Sequence, residues 1–109
     1  MNEQQRQRLS GYIGIAQRAG KIAAGDMLAR EAVRKGKACL LVVAEDASPQ
    51  VRQELESLAG NDIPVLFWPD MIDLGRLVGK SRRGALAVLD SGLAKAMLQV
   101  LEAAPVPIL

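Results

Sequence analysis

The sequence predicts an α/β protein, a central sheet with helices on both faces. Three observations lead there. Four apolar runs of strand length, at 21–24, 39–44, 63–68 and 85–89, alternate with stretches of helical period. Each strand is reached from the one before it through a helix, and strands connected that way share a sheet whose faces the helices cover. The run 39–44 is apolar at every position, as expected of a strand enclosed on both sides. The 109 residues, half of them hydrophobic, suffice for one domain with one modest core.

The first helix is signalled by Leu9, Tyr12, Ile13 and Ala16, which recur at i, i+3, i+4 and i+7 and so share a face. Gly20 is its stop. "KIAA" is a short strand ending at Gly25. From Asp26 the period is helical again, with Leu28, Ala32 and Val33 as the inward stripe and Met27 at its margin. Gly36 ends this helix, and Arg34 and Lys35 in its last turn suit the dipole. "CLLVVA" is the second strand. Ser48 before Pro49 is an N-cap and first-turn pair, and Val51, Leu55, Leu58 and Ala59 mark one face of the helix it starts.

"GND" breaks that helix ahead of "IPVLFW", the third strand, on which Phe67 and Trp68 face opposite ways. Pro69-Asp70 opens a fourth helix, with Asp73 placed to complete a capping arrangement and Leu74, Leu77 and Val78 facing inward. Residues 79–84 are a loop, "ALAVL" is the last strand, and Leu93, Met97, Val100, Leu101 and Ala104 make a closing helix. Pro105 and Pro107 end it. The expected organisation is one domain over 1–104 and a short apolar tail over 105–109, with no internal repeat, linker or low-complexity segment.

Composition excludes several kinds of chemistry. Histidine is absent and Cys39 is the lone cysteine, so His-based acid/base catalysis, His-dependent triads, Cys/His zinc sites and an internal disulfide are all ruled out. Cys39, leading an apolar strand with no His to activate it, is expected to be a half-buried structural thiol. Tyr12, Phe67 and Trp68 are the only aromatics, too few for ring stacking to be the main mode of any nucleic-acid binding. The start "MNEQQRQRL" is polar, and no apolar run reaches the ~18 residues of a membrane span. The expectation is a cytoplasmic protein that needs no cofactor and is not an enzyme.

The net charge of +2 hides an uneven distribution. Residues 6–37 hold Arg6, Arg8, Arg18, Lys21, Arg30, Arg34, Lys35 and Lys37 against Asp26 and Glu31. Residues 45–73 hold seven acids against Arg52. Residues 76–83 carry Arg76, Lys80, Arg82 and Arg83 and no acid. If folding gathers the two basic segments, one edge becomes a polyanion-binding surface; if not, they are solvated surface.

The second basic segment contains "GRLVGKS", one residue short of the nucleotide phosphate loop G-x-x-x-x-G-K-[ST]. That loop must follow a strand and open a helix, where aligned amides face the phosphate. Here the order is reversed: Gly75 ends a helix, whose negative dipole end repels phosphate, and Ser81 precedes a strand. Nucleotide hydrolysis is therefore rejected. Residues 79–84 are better taken as a flexible basic finger whose Lys80, Arg82 and Arg83 reach for backbone phosphates, with Arg also able to pair with a guanine edge. The turn at Gly25 opens a helix with free amides, flanked by Lys21 and Arg30, a second place for a phosphate. The loop and the turn share an edge only if the last strand runs antiparallel to the first, and Lys21 and Arg82 should then lie near one another.

The ordered set "AGKIAAG", "VVAEDASP", "IPVLFW" and "LGRLVGK", followed by "ALAVLDSGLAKAML", resembles bacterial YlxQ-type proteins of the kink-turn-binding ribosomal protein superfamily, over roughly residues 9 to 98. The resemblance implies a three-layer α-β-α sandwich around a four-stranded mixed sheet. It also implies RNA, possibly ribosomal RNA, as the partner, bound by residues 21–31 and by the loop 80–85. The candidate RNA-binding set is thus Lys21, Gly25, Asp26, Met27, Arg30, Lys80, Ser81, Arg82, Arg83 and Gly84, with no catalytic residue and no metal ligand. The superfamily's G-x-N-E-x-x-K signature is only partly kept: Gly25 matches, but Met27 stands at the Asn, Leu28 at the Glu and Glu31 at the Lys. Arg30 is the expected stand-in for that lysine, and Leu28 is expected in the core. RNA binding with altered or weaker specificity follows, with kink-turn recognition in question. A monomer is expected. The alternative is a protein-interaction module that docks a partner through the acidic 45–73 segment or the tail "APVPIL".

Overall fold

The structure, a computed structural model, describes residues 1–102; the apolar tail and the end of the closing helix expected at Ala104 lie outside them. Five helices and four strands alternate: α1 (Glu3–Arg18), β1 (Ile22–Ala24), α2 (Asp26–Arg34), β2 (Leu40–Ala44), α3 (Pro49–Ala59), β3 (Val65–Trp68), α4 (Met71–Leu77), β4 (Ala85–Val88) and α5 (Ser91–Glu102). The strands form one mixed sheet in the order β1-β4-β2-β3. β2 and β3 are parallel, and β4, between β1 and β2, runs antiparallel to both.

Local chemistry sets the helix starts. Ser48 accepts from the Val51 amide with Pro49 in the first turn, and Asp70 accepts from the Asp73 amide, each replacing a hydrogen bond the first helical turn lacks. Asn2 and Gln5 close a reciprocal capping box on α1. Asp73 takes its expected part in that cap through its amide, while its carboxylate accepts from Arg6 of α1 at 3.0 Å, from Trp68 Nε1 at 2.8 Å and from Arg76 at 2.6 Å.

Strand alternation divides the core into two layers. Leu40, Val42, Trp68, Leu86 and Val88 point to one face, against Leu9 and Ile13 of α1, Leu74 of α4 and Met97 of α5. Leu41, Val43, Ala85 and Ala87 point to the other, against Ala29 and Ala32 of α2 and Leu55 and Ala59 of α3. The result is a three-layer α-β-α sandwich. Every residue of β2 and β4 is buried, whereas on the edge strand β3 Trp68 is buried and Phe67 exposed. No helix among the described residues is long and apolar enough to cross a membrane.

Of the stripe expected on α2, Ala32 is buried and Val33 packs half-buried against the core, but Ala29 takes the inward place expected for Leu28. Ala29 and Ala32 are buried, whereas Leu28 and Met27 are exposed. The reason is the floor beneath: α2 lies on Ala85, Ala87 and Ala59, and small residues on both sides allow a close approach that a Leu in the interface would prevent.

Candidate nucleic-acid interface

The antiparallel pairing of β1 with β4 decides what shares an edge. Ala24 is opposite Leu86, and the Gly25 amide donates to the Ala85 carbonyl at 2.8 Å. The turn into α2 and the loop into β4 therefore leave the sheet side by side. The Arg83 side chain lies beside the turn: a β-carbon built on Gly25 would be 3.7 Å from Arg83 Cδ and 3.9 Å from its Nε. Gly25 has φ 107° and ψ 155°, backbone that is costly for any other residue. Alanine there is expected to cost about 1–3 kcal/mol, read as a lower unfolding midpoint. Gly11→Ala on α1, where a β-carbon meets nothing within 4 Å, is expected to raise the midpoint, by up to about 1 kcal/mol.

The 79–84 loop is not the free finger its glycines suggested. The Lys80 amide donates to the Gly75 carbonyl at 2.9 Å, the Arg83 amide to the Met71 carbonyl at 3.0 Å, and the Gly84 carbonyl accepts from Ala44 at 2.8 Å. Arg83 folds back on its own loop, with Nη1 donating to Ser81 Oγ at 2.9 Å and to the Arg82 carbonyl at 3.0 Å. Gly75 makes this path possible. A β-carbon there would fall 1.9 Å from the Ser81 carbonyl oxygen, inside the space the loop backbone occupies. Lys80 and Arg82 remain exposed, and neither forms an ion pair among the described residues.

Other expected members are placed differently. Lys21 stands at the opposite end of β1, where its carbonyl accepts from the Leu89 amide at 2.9 Å. The three residues of β1 lie between it and Gly25, four steps of about 13 Å in all, so Lys21 does not join the loop cations and the expected nearness of Lys21 to Arg82 is corrected. Arg30 is engaged: Nη2 pairs with Asp26 at 3.2 Å and Nη1 with Glu54. A guanidinium held between two carboxylates is a poor substitute for a free lysine. The i, i+4 spacing of Asp26 and Arg30 was the sequence signal for this pairing. Glu31 pairs with Lys35 one turn on, and that hydrogen bond lowers its carboxyl pKa.

The edge is therefore basic on the loop side and polar elsewhere. Gly25, as N-cap, offers no side chain to the first-turn amides of α2, which leaves donors and a positive dipole end beside Arg83. On the far side, Asp46 accepts from the Met71 amide and Asp70 caps α4, while Glu45 is exposed. With Glu54 and Asp73 also committed to ion pairs, four of the seven acids in 45–73 have structural employment. Chemically, the arrangement suits an anion spread over several contacts.

Residues 7–98 match the ribosomal protein L7Ae/L30e/S12e/Gadd45 family. The chain is 30% identical over 103 residues to the RNA-binding protein YlxQ of Enterococcus faecium, covering 94% of this chain and 99% of the relative. It is 30% identical over 91 residues to the RNA-binding protein YlxQ of Bacillus subtilis, covering 83% and 91%. Its shape is similar to that of the Giardia lamblia 15.5 kD RNA binding protein, with a TM-score of 0.80 over 94% of this chain and 88% of that one; at 22% identity this is a likeness of fold.

Proposed function

The chain belongs to the ribosomal protein L7Ae/L30e/S12e/Gadd45 family, and from that premise we propose that it is an RNA-binding protein of ribosomal type, acting as a cytoplasmic monomer without a cofactor. Its RNA is structured, ribosomal RNA included, and it is held rather than transformed. The observation that supports this most is the position of the Arg83 side chain beside the Gly25 turn, which sets the loop cations next to the uncapped start of α2. Residues 1–104 act as one unit in this reading. Kink-turn readout is not part of it, because Met27 and Leu28 carry no strong hydrogen-bonding group toward a base edge.

The loop cations that form no ion pair among the described residues are Lys80, Arg82 and Arg83, so about three phosphates are neutralised. On single-stranded RNA the logarithm of the binding constant should fall with the logarithm of salt at a slope of about −2. Charge reversal of all three should abolish binding in a fluorescence anisotropy titration, whereas Lys21→Glu, about a Debye length or more away, should change affinity by about twofold or less. Unchanged affinity in the triple variant would reject the site.

A further inference from the structure

β3 ends the sheet on one side and pairs only with β2. The Leu41 amide donates to the Pro64 carbonyl at 3.0 Å and the Glu45 amide to the Trp68 carbonyl at 2.7 Å. In a parallel ladder alternate residues turn their backbone groups to the same neighbour, so Pro64, Leu66 and Trp68 serve β2. Val65 and Phe67 turn N–H and C=O away from the sheet, and no loop backbone among the described residues takes them up. The side chain there is open as well: Phe67 is 36% exposed, while the central strands β2 and β4 are wholly buried. At the next outward position, Pro69 has no N–H to offer, so the open register stops there.

The surroundings are acidic. Between Arg52 and Arg76 the chain carries no Lys or Arg, and it carries Glu54, Glu56, Asp62, Asp70 and Asp73. Glu54 and Asp73 are held in ion pairs and Asp70 caps α4. Asp62, just before the strand, and Glu45, whose amide meets its end, are exposed and form no ion pair among the described residues. Arg52, the cation of the preceding helix, is half-buried. Open strand groups call for an extended polypeptide. Phosphates would be repelled by the acids. A second copy would bring its own Asp62 and Glu45 to the edge, and like charges across paired strands are unfavourable. A short strand and a proline further guard against indiscriminate pairing.

We propose that the outer edge of β3 receives an extended basic segment of a partner protein as an added strand. Val65 and Phe67 supply the backbone hydrogen bonds, the Phe67 ring packs against an apolar residue of the incoming strand, and Asp62 and Glu45 select Lys or Arg at its two ends.

The probe is a short peptide of alternating valine and threonine with lysines at both ends, compared with the same peptide carrying glutamates instead. The protein has a net charge of +2, so overall electrostatics oppose the lysine peptide and its binding reports the local acids. Amide hydrogen exchange at Val65 and Phe67 is the readout. With the lysine peptide at about ten times its dissociation constant, exchange at both amides should slow by about tenfold, and the glutamate peptide should leave it unchanged. The double variant Glu45→Lys, Asp62→Lys alters two exposed side chains outside the ion pairs, so its fold should be retained. It is expected to lose the lysine peptide and to accept the glutamate one. Unchanged exchange at 65 and 67, equal slowing by both peptides, or undiminished lysine-peptide binding by the double variant overturns the proposal. Slowing that grows with protein concentration in the absence of peptide also overturns it, since the edge would then pair with a second copy.

Discussion

Gly75→Ala is expected to lower stability by about 1–3 kcal/mol and RNA affinity by about tenfold or more, although it changes no charge and lies inside a helix. In an ordinary helix interior the substitution is favourable by up to about 1 kcal/mol. The sign reverses here because the added carbon would sit 1.9 Å from the Ser81 carbonyl oxygen, 2.7 Å from its carbonyl carbon and 3.1 Å from Arg82 Cα. These are backbone atoms and cannot swing aside. The loop must lift, and the bonds from Lys80 to Gly75 and from Arg83 to Met71 must stretch or break. Lys80, Arg82 and Arg83 are then displaced together while the net charge stays the same. A thermal melt reports the first effect and anisotropy with a single RNA probe the second. If folded Gly75→Ala protein binds RNA as tightly as the native chain, loop position is irrelevant and net charge alone drives association.

Gly75 also shows where sequence reasoning stops. A glycine inside a helical pattern is visible as an anomaly, and here it fell within a near match to a phosphate loop that the reversed order of elements ruled out. Its actual partner, the backbone at 81 and 82, is set by how the chain returns over α4, which no local pattern encodes. The alternation of elements and the caps at Ser48 and Asp70 were legible because hydrophobic period and N-terminal donors act over a few residues. The antiparallel entry of β4 between β1 and β2 was not legible, because pairing is non-local. On α2, Ala32 and Val33 face inward as their spacing predicts, whereas Leu28 does not, because the alanines of β4 and α3 beneath the helix favour Ala29 there. The misplacement of Lys21 was avoidable. Its four-residue separation from Gly25 along a strand already puts the two at opposite ends.

Asp73→Ala is expected to cost about 2–4 kcal/mol, near neutral pH, and to lower the melting temperature by roughly 10 °C. The contact ties three elements together: Arg6 on α1, Trp68 at the end of β3 and Arg76 on α4 all donate to this carboxylate. Trp68 is fully buried, so its indole N–H would lose its partner, and an unpaired buried donor accounts for about 1–3 kcal/mol of the loss. Burial by itself would raise the carboxyl pKa, but the bonds from Arg76, Trp68 and Arg6 together outweigh it and hold the group at about 2. Since the unfolded chain takes up this proton at a higher pH than the folded one, the stabilisation is complete above about pH 5. It drains away as the pH falls through about 4 to about 2. Asp73→Asn separates the two contributions. It keeps an acceptor for Trp68 but removes the charge, so its deficit should be about 2 kcal/mol near neutral pH and should shrink toward zero on acidification, as urea midpoints across that range would show. A deficit that stays constant between pH 6 and pH 2 would mean that the carboxylate charge contributes nothing and that Asp73 serves only as an acceptor.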